Sequence, residues 1–281
     1  MNDNKPVDVG SVWWFWFSTN AFAVDKRLRR IMRALPRDPR CKFCNVPFQG
    51  IGATIARVLF GKQRSSLNPR FCNMCEIASR EFPGGAEVKM SILFADIRGS
   101  TALSETMSPT EFRQLIHRFY NATTKAVIEE DGLVEKLSGD GLAAFWGAGF
   151  AGPEYVKRTI TVARNLAKEM ERQKIPVGIS VHAGVAYFGA MTTSDGLTTI
   201  SASGEEINLA ARLASRAAAG EVLVSEQALK QAGLDGSQLE SRSLDNLKGI
   251  SEAVPVRVLD GNQADLISTN EANREETTQR R

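Results

Sequence analysis

The sequence predicts an α/β sandwich, one sheet with helices packed against it, over residues 86–260, preceded by a small cysteine-rich module. Two observations support this prediction. Strand and helix patterns follow the order β-α-β-β-α-β with a βαβ extension, and two CxxC pairs lie ahead of that region. The composition, 43% apolar and 24% charged, is typical of a soluble globular protein.

The first half of the sandwich begins with an apolar strand predicted at 88–97. The sequence SPTE at 108–111 combines a serine cap, a proline at the first helical position and a glutamate three residues after the serine. It therefore predicts a helix start, and apolar residues recur at helical spacing from 112 to 127. Two short strands, predicted at 133–137 and 142–146, are joined by the turn sequence SGDG.

The second half begins with an amphipathic helix predicted at about 153–172. Another helix is predicted to begin with GEE at 204–206 and to continue to about 217. The strands of this half are predicted at 177–191, 198–203, 221–225, 240–244 and 254–259. The order β-α-β-β-α-β makes the predicted core ferredoxin-like.

Composition divides the chain into four parts. A basic, aromatic segment spans 1–40, a cysteine module ending in a PGG linker spans 41–85, and the sandwich spans 86–260. Residues 261–281 are polar and are predicted to be disordered. Residues 1–90 contain 15 Lys and Arg against 7 Asp and Glu, which indicates either an interaction surface or a solvated basic face.

The most apolar run of the chain, at 9–24, contains the aromatic sequence WWFWF. It is interrupted by polar residues, is shorter than the roughly 20 residues of a membrane-spanning helix, and lacks the features of a secretory signal. We expect the aromatic residues to pack on the protein itself or on a second subunit. The alternative is peripheral membrane or regulatory protein contact. A cytoplasmic location with reduced thiols is the simplest expectation.

Two acids occupy positions that suit metal binding. Asp96 ends the first strand and Asp140 lies in the SGDG turn, where the sheet can bring them together. Two close carboxylates repel each other unless a cation lies between them, and such hard oxygen ligands suit Mg²⁺ or Mn²⁺. Nearby glycines leave room for a ligand, and the amides after Ile97 are candidate phosphate donors. An aspartate at a strand end is, taken alone, more often a turn or cap residue.

Four sequence segments, taken together, favour the metal-binding interpretation of these aspartates. FADIRGST lies at 94–101, KLSGD at 136–140, GEEINLAARL at 204–213, and LKGI at 247–250, followed by PV. In this order they resemble the metal-binding segments, the Asn/Arg helix and the closing strands of class III adenylate and guanylate cyclases. The resemblance covers roughly 86–260 and implies conversion of ATP to 3′,5′-cyclic AMP and pyrophosphate, with two metal ions per site.

The resemblance also implies a role for each matching position. The positions are Asp96, Ile97 (through its carbonyl) and Asp140 for Mg²⁺ or Mn²⁺; Gly99, Thr101 and Lys248 for the phosphates; Lys136 and Ser201 for the base; Asn208 for the ribose; and Arg212 for the charge that develops at the α-phosphate.

Hydrogen-bonding chemistry favours adenine as the base. Adenine has an acceptor at N1 and a donor at N6, whereas guanine has a donor at N1. Lys136 donates only, and Ser201 can accept from N6. The family more often has Asp or Thr at the position of Ser201, and Thr198 or Thr199 would replace it if the register of the loop shifts.

A homodimer is expected from the helix that begins at 204. Asn208 and Arg212 are four residues apart and project from the same outward face, while Leu209 and Leu213 can face the core. Outward residues do not easily reach Asp96 of their own chain. The resemblance implies a head-to-tail pair with two equivalent sites, in which one chain supplies the metal ligands and the other supplies the groups for the base, the ribose and the transition state.

The four cysteines form two CxxC pairs, Cys41 with Cys44 and Cys72 with Cys75, separated by 27 residues. This pattern favours a structural zinc site with four thiolate ligands, with an iron–sulfur cluster as the alternative. A helix is predicted between the pairs, at about 51–60. If the centre were redox-active, this module would be a sensor that sets cyclase output.

Two other function classes share features with this sequence. A diguanylate cyclase would need a GGDEF-type hairpin, which SGDGL does not supply. A catalytically weak nucleotide-binding or redox- and metal-sensing regulatory dimer is the alternative to an enzyme. A nucleic-acid partner is not expected, because aromatic and basic residues do not interleave. His117 and His182 are expected to be structural.

Overall fold

The computed structural model describes residues 8–19, 23–36, 39–194, 198–245, 247 and 252–260. The chain divides into two compact units, each assembled from separate stretches. The first unit takes 1–88, 148–152 and 185–204, and the second takes 89–147, 153–184 and 205–281. The tail at 261–281, which the sequence predicts to be disordered, lies outside the described residues.

The described residues form ten helices and eight strands. The helices are α1 (Val9–Ser18), α2 (Ala23–Ala34), α3 (Gly50–Phe60), α4 (Asn73–Glu81), α5 (Ser100–Thr106), α6 (Pro109–Glu129), α7 (Ala148–Ala151), α8 (Tyr155–Arg172), α9 (Glu205–Arg216) and α10 (Glu226–Ala232). The strands are β1 (Gly84–Ile97), β2 (Leu133–Ser138), β3 (Gly141–Trp146), β4 (Val177–Thr192), β5 (Thr198–Ser203), β6 (Glu221–Ser225), β7 (Glu240–Leu244) and β8 (Val254–Asp260).

All eight strands join one sheet, in the order β2-β3-β1-β4-β6-β8-β7, with β5 paired to β4. The elements β1, α6, β2, β3, α8 and β4 reproduce the predicted β-α-β-β-α-β order, so the predicted fold class is confirmed. The capping box is present: Ser108 Oγ accepts from the Glu111 amide, and the Glu111 carboxylate accepts from the Ser108 amide.

Gly84 and Gly85 do not form the linker that the sequence predicts. They open β1 and lie against β4 within the first unit, so closely that a Cβ on Gly85 would be 2.4 Å from the Phe188 carbonyl oxygen. A Cβ on Gly189 would be 2.1 Å from the Gly84 oxygen. The glycines are needed for close strand approach rather than for chain flexibility.

The second unit buries an apolar cluster between α9 and the β6–β8 part of the sheet. Leu213 of α9 packs with Leu223 of β6 and Val256 of β8, and all three side chains are fully buried. Ser180 of β4 donates to the carbonyl of Ala210 at 2.7 Å, which adds a polar contact to the same helix. These contacts fix α9 on the sheet and leave its other face outside the core.

In the first unit, α1 packs on the protein through some of its aromatic residues. Trp13 and Phe17 are buried, and Trp13 donates from its indole to the Phe82 carbonyl at 2.9 Å. Phe17 contacts the rings of Phe150 and Phe188, with centroids 5.1 and 4.6 Å away. Trp13 and Phe17 therefore pack on the protein itself, which is one of the arrangements expected for this segment. None of the described helices combines the length and apolar character that a membrane crossing requires.

Phe17→Ala should destabilise the protein by about 3–5 kcal/mol, because it removes a buried aromatic ring and leaves a cavity. Phe15→Ala on the same helix is the matched control: its ring is 45% exposed, and its loss should cost less than about 1 kcal/mol. Urea denaturation of the two variants measures the difference. Equal midpoints would show that α1 does not pack in this way.

Candidate active site and cysteine cluster

Asp96 and Asp140 lie side by side where β1 meets the β2–β3 hairpin. Asp96 is paired with Gly141 across the strands, and the Ile97 amide donates to the Asp140 carbonyl at 3.0 Å. A side chain at 141 would crowd this arrangement, since a Cβ there would be 3.1 Å from Asp96 Oδ1. The fold thus brings together the two acids that the sequence predicts as metal ligands.

The charge balance around Asp96 is incomplete. Burial raises the pKa of the Asp96 carboxyl, Arg98 opposes this shift, and the neighbouring Asp140 adds to it, so the pKa remains above its ordinary value. Arg98 forms an ion pair with Asp96 and also donates to the Ser215 carbonyl at 3.1 Å. A pair of carboxylates that Arg98 offsets only in part fits a divalent cation with a preference for oxygen ligands.

A cleft of about 240 Å³ opens beside Asp96 within the second unit. Lys136 and Ser138, on β2, form one wall. Ala211 and Ser215, on α9, form another. Lys136 is exposed, so its ammonium can reach a ligand in the cleft. The cleft therefore combines a metal-binding edge with a hydrogen-bond donor, and the small side chains of α9 leave it open.

Asn208 and Arg212 belong to α9 but, among the described residues, neither lines this cleft. Asn208 is exposed and Arg212 is half-buried, whereas Leu213 and Ala214 of the same helix are buried. The pair therefore projects away from the core, as the sequence predicts.

Comparison with known proteins identifies the family. The family described as the adenylate and guanylate cyclase catalytic domain matches residues 86–258. The chain belongs to this family. The cyclase domain thus includes the two acids, the cleft and α9, together with the β4–β5 hairpin of the first unit.

The curated relatives include one that is named as an adenylate cyclase. An uncharacterized protein of Mycobacterium tuberculosis is 32% identical over 155 residues, which cover 53% of this chain and 28% of the relative. An adenylate cyclase of Anabaena cylindrica is 29% identical over 137 residues, covering 44% of this chain and 26% of that protein. The matched part spans only about a quarter of the length of these relatives.

Solved structures share the fold. The adenylyl cyclase CyaB of P. aeruginosa aligns with a TM-score of 0.56 and 24% identity, covering 63% of this chain and 96% of that one. The guanylyl cyclase Cya2 aligns with a TM-score of 0.55 and 21% identity, covering 66% and 98%. Both substrate classes thus occur among proteins with the same fold.

Glu206, at the start of α9, makes a contact that sequence reasoning missed. It pairs with Nε2 of His182, a fully buried residue of β4, and the His182 Nδ1 lies 2.8 Å from Ser225 Oγ. Ser225 Oγ already accepts from the Ala228 amide at 3.1 Å. Its own hydrogen can therefore be donated to Nδ1, while Nε2–H faces the carboxylate. The hydrogen bond from His182 lowers the pKa of Glu206. A buried histidine within a predicted strand was the only sequence signal.

The residues expected to read the base and phosphates are placed as follows. Ser201 lies in β5 opposite Gly189 and is half-buried. Thr198 is buried and its hydroxyl lies 2.9 Å from that of Thr192, so it is a poor alternative to Ser201. Gly99 adopts a left-handed conformation, with φ of 66°, ahead of α5. Thr101 is exposed, and Lys248 lies outside the described residues.

The four cysteines come together in the first unit. The sulfurs of Cys41, Cys44, Cys72 and Cys75 all lie within 4.8 Å of one another. The Cys72 amide donates to Cys41 Sγ at 3.3 Å, and the Cys75 amide donates to Cys72 Sγ at 3.4 Å. Sulfur atoms gathered in this way, with amides directed at them, could hold a metal ion as thiolates.

Lys62 supplies positive charge beside these sulfurs. Burial alone would lower its pKa, but the thiolates, Cys44 first and then Cys75, outweigh burial and raise it. A tetrahedral site with four thiolates carries excess negative charge even with a divalent ion bound. A neighbouring ammonium reduces that excess, so the donor set and its surroundings fit a bound metal cation.

Glu206→Gln should destabilise the cyclase domain by about 1–2 kcal/mol at pH 7, because the charge-assisted part of the bond to His182 is lost. Because the pKa of Glu206 is lowered in the folded chain, its ionised carboxylate stabilises the fold fully at pH values above the ordinary carboxyl pKa. This stabilisation is lost as the pH falls through the lowered pKa of the folded chain. Urea denaturation at pH 7 and near pH 4 should therefore show a smaller difference from the wild type in acid.

Glu205→Gln is the matched control, since Glu205 is exposed in the same helical turn. The account of Glu206 fails if both variants unfold alike at pH 7.

Proposed function

We propose that the cyclase domain converts ATP to 3′,5′-cyclic AMP and pyrophosphate, in a homodimer with two equivalent sites. The main support is one observation: Asp96 lines the cleft with Asp140 beside it, whereas neither Asn208 nor Arg212 lines that cleft. A complete site therefore needs a second chain, which supplies the groups for the base, the ribose and the charge at the α-phosphate.

The metal-binding part of the proposed site consists of Asp96, Asp140 and the Ile97 carbonyl. Bound Mg²⁺ or Mn²⁺ would lower the pKa of the ribose 3′-hydroxyl and offset the phosphate charge. The two carboxylates and the carbonyl would hold the ions at the carboxyl end of β1. Gly99, Thr101 and, by resemblance alone, Lys248 would add donors to the phosphate oxygens.

The reaction that this arrangement supports is an in-line displacement. The 3′-oxygen attacks the α-phosphorus, the new O–P bond closes the ring, and the bond to the oxygen bridging the β-phosphate breaks. The hydroxyl proton passes to water, and pyrophosphate departs with the bonding electrons. The partner's Asn208 would orient the ribose and its Arg212 would stabilise the charge that develops at the α-phosphate.

Adenine specificity is the finer part of the proposal. Lys136 donates only, so it can bond to adenine N1 and would leave the N1–H of guanine unsatisfied. Ser201 would accept from adenine N6. A serine also donates, so we expect it to discriminate less strongly than the family's usual aspartate.

We also propose that the four cysteines hold one Zn²⁺ ion. Zinc–thiolate bonds of about 2.3 Å separate the sulfurs of a tetrahedral site by about 3.8 Å. The sulfurs of Cys44 and Cys72 are 3.6 Å apart, and every pair of sulfurs lies within 4.8 Å. An iron–sulfur cluster places several metal atoms between its cysteines and would hold the sulfurs further apart. The spacing therefore favours a single structural ion.

Asp96→Ala and Arg212→Ala should each abolish cyclic AMP formation. The first removes a metal ligand from both sites of the dimer, and the second removes the arginine from both sites. Mixing the two variants should restore about a quarter of wild-type activity. Half of the randomly exchanged dimers are mixed, and each mixed dimer has one site with both lesions and one intact site. Cyclic AMP formed from ATP with Mn²⁺ measures the recovery.

A mixture of Asp96→Ala with Asp140→Ala is the matched control. Both lesions lie in the metal-binding half, so every site remains damaged and no activity should return. Recovery in the control, or none in the first mixture despite demonstrated subunit exchange, would contradict the shared site.

A further inference from the structure

Two side chains of the cysteine module bind the backbone of β5. Lys42, inside the first CxxC pair, donates from Nζ to the Ile200 carbonyl at 2.9 Å. Asn68, shortly before the second pair, donates from Nδ2 to the Thr198 carbonyl at 2.5 Å. The module and β5 belong to the same compact unit. Each cysteine loop therefore contributes one contact to the same strand.

These contacts satisfy an otherwise open strand edge. Among the described strands, β5 pairs with β4 alone. The carbonyls of Thr198 and Ile200 are two residues apart, so they point to the same side of the strand, where both accept from the module. An edge strand has unpaired acceptors along its open side. Lys42 and Asn68 thus take the place of a neighbouring strand.

The two donors are linked to each other through the cysteine loops. The Lys42 amide donates to the Arg70 carbonyl at 2.9 Å, and the Arg70 amide donates to Asn68 Oδ1 at 3.1 Å. Ser65 Oγ accepts from the Asn68 amide at 3.1 Å. A metal ion bound by both CxxC pairs would hold the two loops together and would therefore fix the spacing of the two donors.

Ser201 follows immediately in the same strand. Thr198 and Ile200 are buried, whereas Thr199 is exposed and Ser201 half-buried, as the alternation of a strand requires. The hydrogen bonds that hold the carbonyls of residues 198 and 200 therefore also set the position and direction of the Ser201 side chain.

We propose that Lys42 and Asn68 are positioning residues that connect the cysteine centre to Ser201, so that the occupied centre sets nucleotide affinity and base selectivity. The link to base selectivity rests on the proposed function of Ser201. The contacts to β5 are independent of it. Loss of the metal would release the two donors together and leave β5 with its pairing to β4 and its packing against α4.

Lys42→Met keeps the apolar stem and removes the ammonium, and Asn68→Asp keeps the acceptor for the Arg70 amide and removes the donor. Metal analysis of the purified proteins should find one zinc per chain, without iron, in the wild type and in both variants. Hydrogen–deuterium exchange of residues 198–203 should be at least about fivefold faster in both variants. Zinc-free wild-type protein should show the same increase.

Kinetics test the connection to Ser201. The KM for ATP should rise about five- to tenfold, kcat should change less than about twofold, and the preference for ATP over GTP should fall. A merely structural role would lower stability and the active fraction without changing base preference. The ATP-to-GTP ratio therefore separates positioning from general damage.

Arg57→Met and Asn73→Asp are the matched controls. Arg57 is exposed on α3, and Asn73 donates within the module, to the Gly61 carbonyl at 3.1 Å. Neither should change exchange in β5 or base preference.

Unchanged exchange at 198–203 in both variants would overturn the proposal, and so would faster exchange with an unchanged KM and base preference in active enzyme. If the wild type forms no cyclic nucleotide, the proposed function fails. Affinity for a non-hydrolysable ATP analogue, with the exchange data, then decides whether Lys42 and Asn68 position the strand.

Discussion

The close placement of two carboxylates is the feature on which the proposed site depends. Strand pairing holds Asp96 beside Asp140, and burial raises the pKa of Asp96 although Arg98 forms an ion pair with it. Arg98 also donates to the carbonyl of Ser215, near the end of α9. Arg98 therefore connects the acid pair to α9 through one hydrogen-bonded network. A divalent cation would supply the positive charge that this network lacks.

The positions of the proposed substrate contacts are set by polar bonds far from them in sequence. In the second unit, His182 and Ser180 of β4 hold α9 through Glu206 and the Ala210 carbonyl. In the first unit, the cysteine module bonds to the edge of β5. The two elements that present Ser201, Asn208 and Arg212 are thus fixed by side chains outside the proposed set of substrate contacts.

Short sequence patterns predict the structure correctly where contacts between residues close in sequence determine it. The SPTE sequence predicts the start of α6 because its capping bonds are formed within four residues. The local signal of Gly84 and Gly85 is that of a turn and predicts a linker, whereas the close approach of Phe188 requires glycines in a strand here. The bond between Glu206 and His182 spans 24 residues of sequence. The sequence around these two residues contains no pattern that predicts this bond.

The consecutive aromatic residues of α1 likewise have no periodicity that would distinguish buried Phe17 from exposed Phe15.

The most direct test of the acid pair is its affinity for metal. Electron paramagnetic resonance of Mn²⁺, titrated into the protein with a non-hydrolysable ATP analogue, reports bound and free ion separately. Asp96→Asn and Asp140→Asn should each weaken Mn²⁺ binding about tenfold or more, because each replaces an anionic ligand by a neutral one. Glu105→Gln, at an exposed acid on α5, should bind like the wild type. Wild-type affinity in both aspartate variants would contradict the account.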